Sequence, residues 1–136
     1  MADILIVDDD DDLRSTVAEV LELSGHHARV ARNGEEGLLA LEGGLPELIL
    51  LDIEMPVLDG PAMAYRAAVT NAGRERIPIV VTSGYADIEN VADRIGTPYY
   101  LPKPCSIELL TKLIEQALAE KRPPHPAGIE VTACGR

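Results

Sequence analysis

Short, wholly apolar runs alternate along the chain with stretches whose apolar residues recur at helical spacing, and this alternation predicts a repeating strand-helix architecture. Ile4-Leu5-Ile6-Val7 is flanked by Asp3 and by five aspartates, Asp8 to Asp12, so it reads as a buried strand and not as part of a helix. From Asp11 to Leu23 the apolar residues Leu13, Val17, Val20 and Leu21 share a helical face. The acidic start suits the positive end of a helix, and Gly25 supplies the stop. His27 to Ala31 then reads as a strand, Asn33-Gly34 opens a second helix through Leu41, and Glu47 to Leu51 forms an apolar strand ending at Asp52.

The pattern continues beyond a loop marked by Met55-Pro56 and Asp59-Gly60. Pro61 suits the first turn of a third helix running to about Thr70, and Pro78 precedes the strand Ile79-Val80-Val81, which ends near Ser83. A short fourth helix is expected from about Asp87 to Arg94, closed by Gly96 and Pro98. Tyr99-Tyr100-Leu101 reads as a strand, and Ser106 caps a last amphipathic helix to about Lys121. Five strands alternating with five helices predict an α/β fold, a doubly wound five-stranded parallel sheet, because parallel strands need crossover connections that cover both faces. One domain over residues 1–122 is expected, followed by a Pro-rich, flexible tail at 123–136.

Composition narrows the function. The 136 residues, 46% of them hydrophobic, suffice for one core. With 12 basic and 23 acidic residues the formal charge is −11, a field that repels nucleic-acid phosphates and anionic membranes. No apolar run approaches the roughly 20 residues of a membrane span, and Met1-Ala2-Asp3 has no basic leader region, so a soluble, cytoplasmic protein without membrane insertion is expected. Cys105 and Cys134 fit neither a metal-binding pair nor a disulfide framework.

In doubly wound sheets, ligands bind beyond the carboxyl ends of the strands, which here carry Asp8, Asp9, Asp52, Ser83 and Lys103. Three carboxylates gathered there would repel by about 3 kcal/mol per pair at ~5 Å and an effective dielectric near 20, so a cation must sit among them. Mg²⁺ is the natural candidate, since it takes hard oxygen ligands and often uses only one or two carboxylates with waters and phosphate oxygens. A carboxylate can also attack phosphorus to form an acyl phosphate, a transfer that depends on positioning and on neutralising the phosphoryl oxygens.

At those strand ends, Ile4-Leu5-Ile6-Val7-Asp8-Asp9, Leu51-Asp52-Ile53-Glu54-Met55-Pro56, Thr82-Ser83-Gly84 and Lys103-Pro104 resemble the receiver domains of two-component signalling. The resemblance covers about residues 3 to 120 and includes the single-domain chemotaxis receiver. It implies a flavodoxin-like strand order 2-1-3-4-5, with Asp52 as phosphoacceptor. Asp9 and Asp52 would be direct metal ligands, Asp8 would act largely through water, and the Glu54 backbone carbonyl would complete the set. Mg²⁺ would be the cofactor, with Mn²⁺ able to substitute. Lys103 would pair with the phosphoryl group and Ser83 would be the switch hydroxyl. Tyr100 would be the switch aromatic, and Glu54 and Tyr85 would occupy the positions that tune acyl-phosphate lifetime. Thr82 competes with Ser83, but Ser83 lies five positions after Pro78, as the family's hydroxyl does. The family usually has Phe where Cys105 stands, and its chemotaxis member has about two more residues between the positions of Ser83 and Lys103.

The implied activity is not that of a conventional enzyme: Mg²⁺-dependent self-phosphorylation from phosphohistidine or small phosphodonors, followed by autodephosphorylation. The partners would be a histidine kinase or histidine phosphotransfer domain and a downstream protein the sequence does not identify; direct nucleic-acid binding is not expected. One rival is an aspartate-nucleophile phosphatase, which typically carries a second Asp where this chain has Glu54 and needs a cap domain. The other is a phosphorylation-independent interaction module of the same fold. The blander readings make Asp10 to Asp12 a solvated helix start, Lys103 a surface lysine, Tyr100 a half-buried core residue, and His26, His27 and His125 surface or loop residues.

Overall fold

The computed structural model describes residues 2–52, 77–83, 88, 92, 97–103 and 106–120. Five strands, β1 (Asp3–Val7), β2 (His27–Ala31), β3 (Leu48–Asp52), β4 (Ile79–Ser83) and β5 (Tyr99–Pro102), form one sheet in the order β2-β1-β3-β4-β5. Every neighbouring pair is parallel. The central strands β3 and β4 are buried along their whole length, which explains why both read as unbroken apolar runs and not as alternating ones.

Three helices lie among the described residues: α1 (Asp11–Leu23), α2 (Gly34–Glu42) and α3 (Ile107–Glu120). They take opposite sides of the sheet. Val17 and Leu21 of α1 join Leu110, Ile114 and Ala117 of α3 in a core with Ile4, Ile6, Leu48, Leu50, Val80 and Tyr99. On the other face, Leu41 of α2 packs with Leu5, Val7, Ile49, Leu51, Ile79 and Val81, together with Ile88 and Ala92. Consecutive residues of β1, β3 and β4 therefore enter different cores, as the two-residue period of a strand requires.

Helix boundaries follow local chemistry. Asp10 caps α1, its carboxylate accepting from the backbone N–H groups of Asp12 and Leu13 at 3.1 and 3.2 Å. The helix ends at Ser24, and Gly25 follows at φ +95°, a left-handed conformation that favours glycine. Asn33 caps α2 by accepting from the Glu36 N–H at 2.8 Å, and Ser106 does the same for the Leu109 N–H at 3.0 Å at the start of α3.

The expected five helices are corrected to three among the described residues. The stretch read as a third helix, 61–70, lies outside them, and of the stretch 87–94 only Ile88 and Ala92 are described, both in helical backbone and both buried. The larger count rests on these two stretches, which the described residues cover at Ile88 and Ala92 alone. The tail 123–136 also lies outside the described residues. No helix among the described residues is long and apolar enough to cross a membrane.

Candidate active site

The carboxyl ends of β1, β3 and β5 meet at one edge of the sheet. Parallel pairing sets Val7 beside Leu51, so the residues that follow β1 and those that end β3 emerge together. Asp8, Asp9 and Asp52 each present a carboxylate oxygen, and these oxygens lie within 4.8 Å of one another. Asp8 and Asp52 are buried, with Asp52 only 2% exposed, whereas Asp9 is open to solvent. Asp8 is held from two directions: its backbone N–H donates to the Ala31 carbonyl at 3.1 Å, and its carboxylate accepts from the Asp10 N–H at 2.9 Å.

Lys103 reaches the same point from the end of β5. Its backbone N–H donates to the Ser83 carbonyl at 2.7 Å, and its ammonium Nζ lies 3.2 Å from Asp52 Oδ2 and 3.3 Å from Asp8 Oδ2. Partial burial works against its charge, but attraction to Asp52 and then Asp8, with hydrogen bonds to both, outweighs it; the Lys103 pKa is raised above the ordinary 10.5. One ammonium among three carboxylates leaves two negative charges at the edge. The donor set fits a small divalent cation: opposite ligands of Mg²⁺ stand about 4.2 Å apart, close to the spread of these oxygens, and a water or a small carboxylate movement closes the set.

The two hydroxyls at the end of β4 face differently. Val81 belongs to the α2-side core and Val80 to the other, so by alternation Ser83 takes the α2 side and Thr82 the α1/α3 side. Thr82 pairs in register with Asp52 and lines a narrow crevice with Asp8, Arg14 and Lys103. Ser83 is fully buried. Tyr100 packs half-buried against the α2-side core, as Ser83's face requires, while Tyr99 is buried on the opposite side with its hydroxyl donating to Glu120 Oε1 at 2.8 Å. Glu54, Tyr85 and Cys105 lie outside the described residues.

The model of the response regulator receiver domain family matches residues 4–115. The chain belongs to the response-regulator receiver family. Among its relatives, the protein PilH of Pseudomonas aeruginosa is 37% identical over 121 residues, covering 88% of this chain and 99% of PilH. The regulatory protein AtoC of Escherichia coli is 31% identical over 118 residues, but the match spans 85% of this chain and only 25% of AtoC. A crystal structure of a CheY-like receiver domain protein from Methanospirillum hungatei superposes with a TM-score of 0.79 at 29% identity, covering 89% of this chain and 96% of that one. The receiver's function is that of a phosphoacceptor in signalling, with phosphorylation and dephosphorylation of itself as its chemistry.

Two residues of structural consequence escaped the sequence reading. Arg14 of α1 turns back toward the site and donates from Nη1 to the Asp8 carbonyl at 2.8 Å, while Nη2 pairs with Asp11. Its signal was a lone cation in the first turns of an acidic helix, where the dipole disfavours it. His26, expected as a surface or loop residue, is a loop residue with a buried ring: Nδ1 accepts from the Ala2 N–H at 3.0 Å and Nε2 meets Glu115 Oε2 at 2.7 Å. It belongs to the opposite end of the sheet from the aspartates.

Proposed function

We propose that Asp52 is the phosphoacceptor, taking its phosphoryl group from the phosphohistidine of a histidine kinase or a histidine phosphotransfer domain in the cytoplasm. The observation that carries this reading is Lys103 Nζ, 3.2 Å from a carboxylate that is only 2% exposed at the end of β3. A buried nucleophile with a cation already beside it is arranged for an incoming dianion. In the transfer a carboxylate oxygen of Asp52 bonds to phosphorus as the donor's P–N bond breaks, its electron pair returning to the imidazole nitrogen. Lys103, released from sharing Asp52 with Asp8, neutralises a phosphoryl oxygen. Asp9 and Asp52 would bind Mg²⁺ directly, Asp8 largely through water, and the Glu54 carbonyl would complete the protein ligands, with Mn²⁺ able to replace Mg²⁺. The ion, when bound, offsets charge on the phosphoryl oxygens.

Ser83 is the switch hydroxyl in this reading, drawn toward the phosphoryl group, and Tyr100 on the same sheet face follows it, altering the surface offered to a downstream protein. Glu54 and Tyr85 tune the lifetime of the acyl phosphate. Residues 1–122 make the receiver and 123–136 a flexible tail. Treatment with acetyl phosphate and Mg²⁺, followed by intact-mass and peptide mass spectrometry, should place one labile phosphate on Asp52 and none on the Asp52→Asn variant. Undiminished labelling of that variant at another carboxylate would overturn the assignment. Amide exchange with beryllofluoride should then show smaller activation changes in Ser83→Ala and Tyr100→Ala than in the unmodified protein; identical changes in all three would remove the switch.

A further inference from the structure

Asp8 and Asp9, two of the expected cation ligands, are joined by a single peptide unit, and that unit is gripped through its carbonyl. Arg14 Nη1 donates to the Asp8 carbonyl oxygen at 2.8 Å while Nη2 pairs with Asp11. The orientation of this peptide sets the direction in which the Asp9 side chain leaves the backbone, and Asp9, being exposed, has little packing of its own to fix it. The Arg14 side chain is only 11% exposed, and it lines the same crevice as Asp8, Thr82 and Lys103. Burying a guanidinium in the first turns of a helix is unfavourable on two counts, desolvation and the helix dipole. The neighbouring carboxylates offset that cost, and what the arrangement gains is a fixed β1–α1 turn.

We propose that Arg14 is a positioning residue for the divalent-cation site: it holds the Asp8–Asp9 peptide so that both carboxylates converge with Asp52. This rests on the reading that the three aspartates bind Mg²⁺. Arg14 touches none of the reacting atoms and acts through the backbone that carries two of the ligands. The sign of its effect separates positioning from charge. A cation near a metal site repels the metal, so deleting Arg14 should tighten binding if electrostatics were all it contributed. Positioning predicts the reverse.

The test is calorimetric titration of the full chain with Mg²⁺, with Mn²⁺ paramagnetic resonance as a second measure, on the wild type, Arg14→Met and Arg14→Lys. Arg14→Met removes charge and donor together and should weaken cation binding about tenfold, as loss of a residue supporting a metal ligand typically does. Arg14→Lys keeps the charge and one donor but not the two-pronged grip, and should weaken binding by roughly threefold. Acetyl-phosphate labelling at saturating Mg²⁺ should proceed at nearly the wild-type rate in both, so that the effect falls on the Mg²⁺ concentration required and not on the maximal rate. Tighter or unchanged binding in Arg14→Met overturns the proposal. Should that variant not fold, wild-type affinity in Arg14→Lys does so. If the wild type itself binds neither ion, the reading of the aspartates as a cation site fails, and this inference with it.

Discussion

Neutralising the proposed phosphoacceptor should make the cation-free protein more stable. In the folded state Asp52 faces the carboxylates of Asp8 and Asp9 with oxygens no more than 4.8 Å away, a repulsion of at least about 3.5 kcal/mol from each at an effective dielectric near 20. Lys103 at 3.2 Å returns about 5 kcal/mol. About 2 kcal/mol of repulsion is left, on top of the cost of burying a charged group that is 2% exposed. In Asp52→Asn both the repulsion and the attraction vanish, the amide keeps the shape, its oxygen still accepts from Lys103, and its NH₂ can donate to a neighbouring carboxylate. The hydrogen bond that Lys103 keeps to the amide and the saving in burial both act in the same direction, so about 2 kcal/mol is the least gain expected. For a chain of this length that is a rise of roughly 7 °C in Tm. The assay is far-UV circular dichroism melting in EDTA, since the chain has no Trp to report by fluorescence. Excess Mg²⁺, at about 100 times its Kd, should then stabilise the wild type by about 2.7 kcal/mol and the variant by far less. An Asn variant that melts at or below the wild type in EDTA would refute the electrostatic reasoning.

Three further outcomes follow from the same geometry. Asp9→Ala should lose cation affinity by at least about tenfold, or 1.4 kcal/mol, with an unchanged circular dichroism spectrum because Asp9 is exposed; unaltered affinity would exclude Asp9 as a ligand. Ile114→Ala, at a fully buried position of α3, should cost about 2–5 kcal/mol in urea unfolding, and a loss under about 1 kcal/mol would mean that α3 packs more loosely than described. The raised Lys103 pKa means that its stabilising contribution is complete below the ordinary lysine value of 10.5 and is lost only as pH rises through the higher folded value. The Tm difference between wild type and Lys103→Met should therefore stay constant between about pH 7 and 10; a difference that shrinks across that window would contradict the direction of the shift.

What could be read from the sequence was whatever depends on near neighbours. The first helix, Asp11 to Leu23, and the second strand, His27 to Ala31, appear with the bounds read from apolar spacing and from Gly25. β1, β3 and β4 were legible as apolar runs because a strand covered on both faces has no polar side to interrupt it. The aspartates and Lys103 were legible as candidates because each ends or follows a strand. Their gathering at one sheet edge was legible too, from the position of ligands beyond the strand ends; the register that sets the distances, with Val7 beside Leu51 and Ser83 beside Pro102, was not. His26 is a loop residue as expected, but the partners of its ring were not legible for the same reason: Ala2 and Glu115 lie 24 and 89 residues away. Arg14 is a subtler case, only six residues from Asp8. Its direction depends on the turn between strand and helix, which no helical or strand periodicity describes.

The one-residue step between Thr82 and Ser83 has a mechanical consequence. Asp52 and Thr82 are register partners and continue the α1/α3 side of their strands, where Arg14, Lys103 and the crevice lie. Ser83 and Tyr100 belong to the α2 side, with Ile88 and Ala92. Chemistry on one side of a sheet cannot move a core on the other through side-chain packing alone, because the buried strand backbones separate the two. The sheet edge is where that separation ends. There the Lys103 N–H donates to the Ser83 carbonyl at 2.7 Å, so the residue whose ammonium reaches Asp52 is tied by its own backbone to the residue whose side chain faces Tyr100's core. On the proposed reading, a phosphoryl group on Asp52 that draws the Lys103 side chain would therefore pull on a segment bonded to the end of β4. On that reading the response would run through the two strand ends and not through the interiors of β3 and β4, whose complete burial makes them resistant to movement.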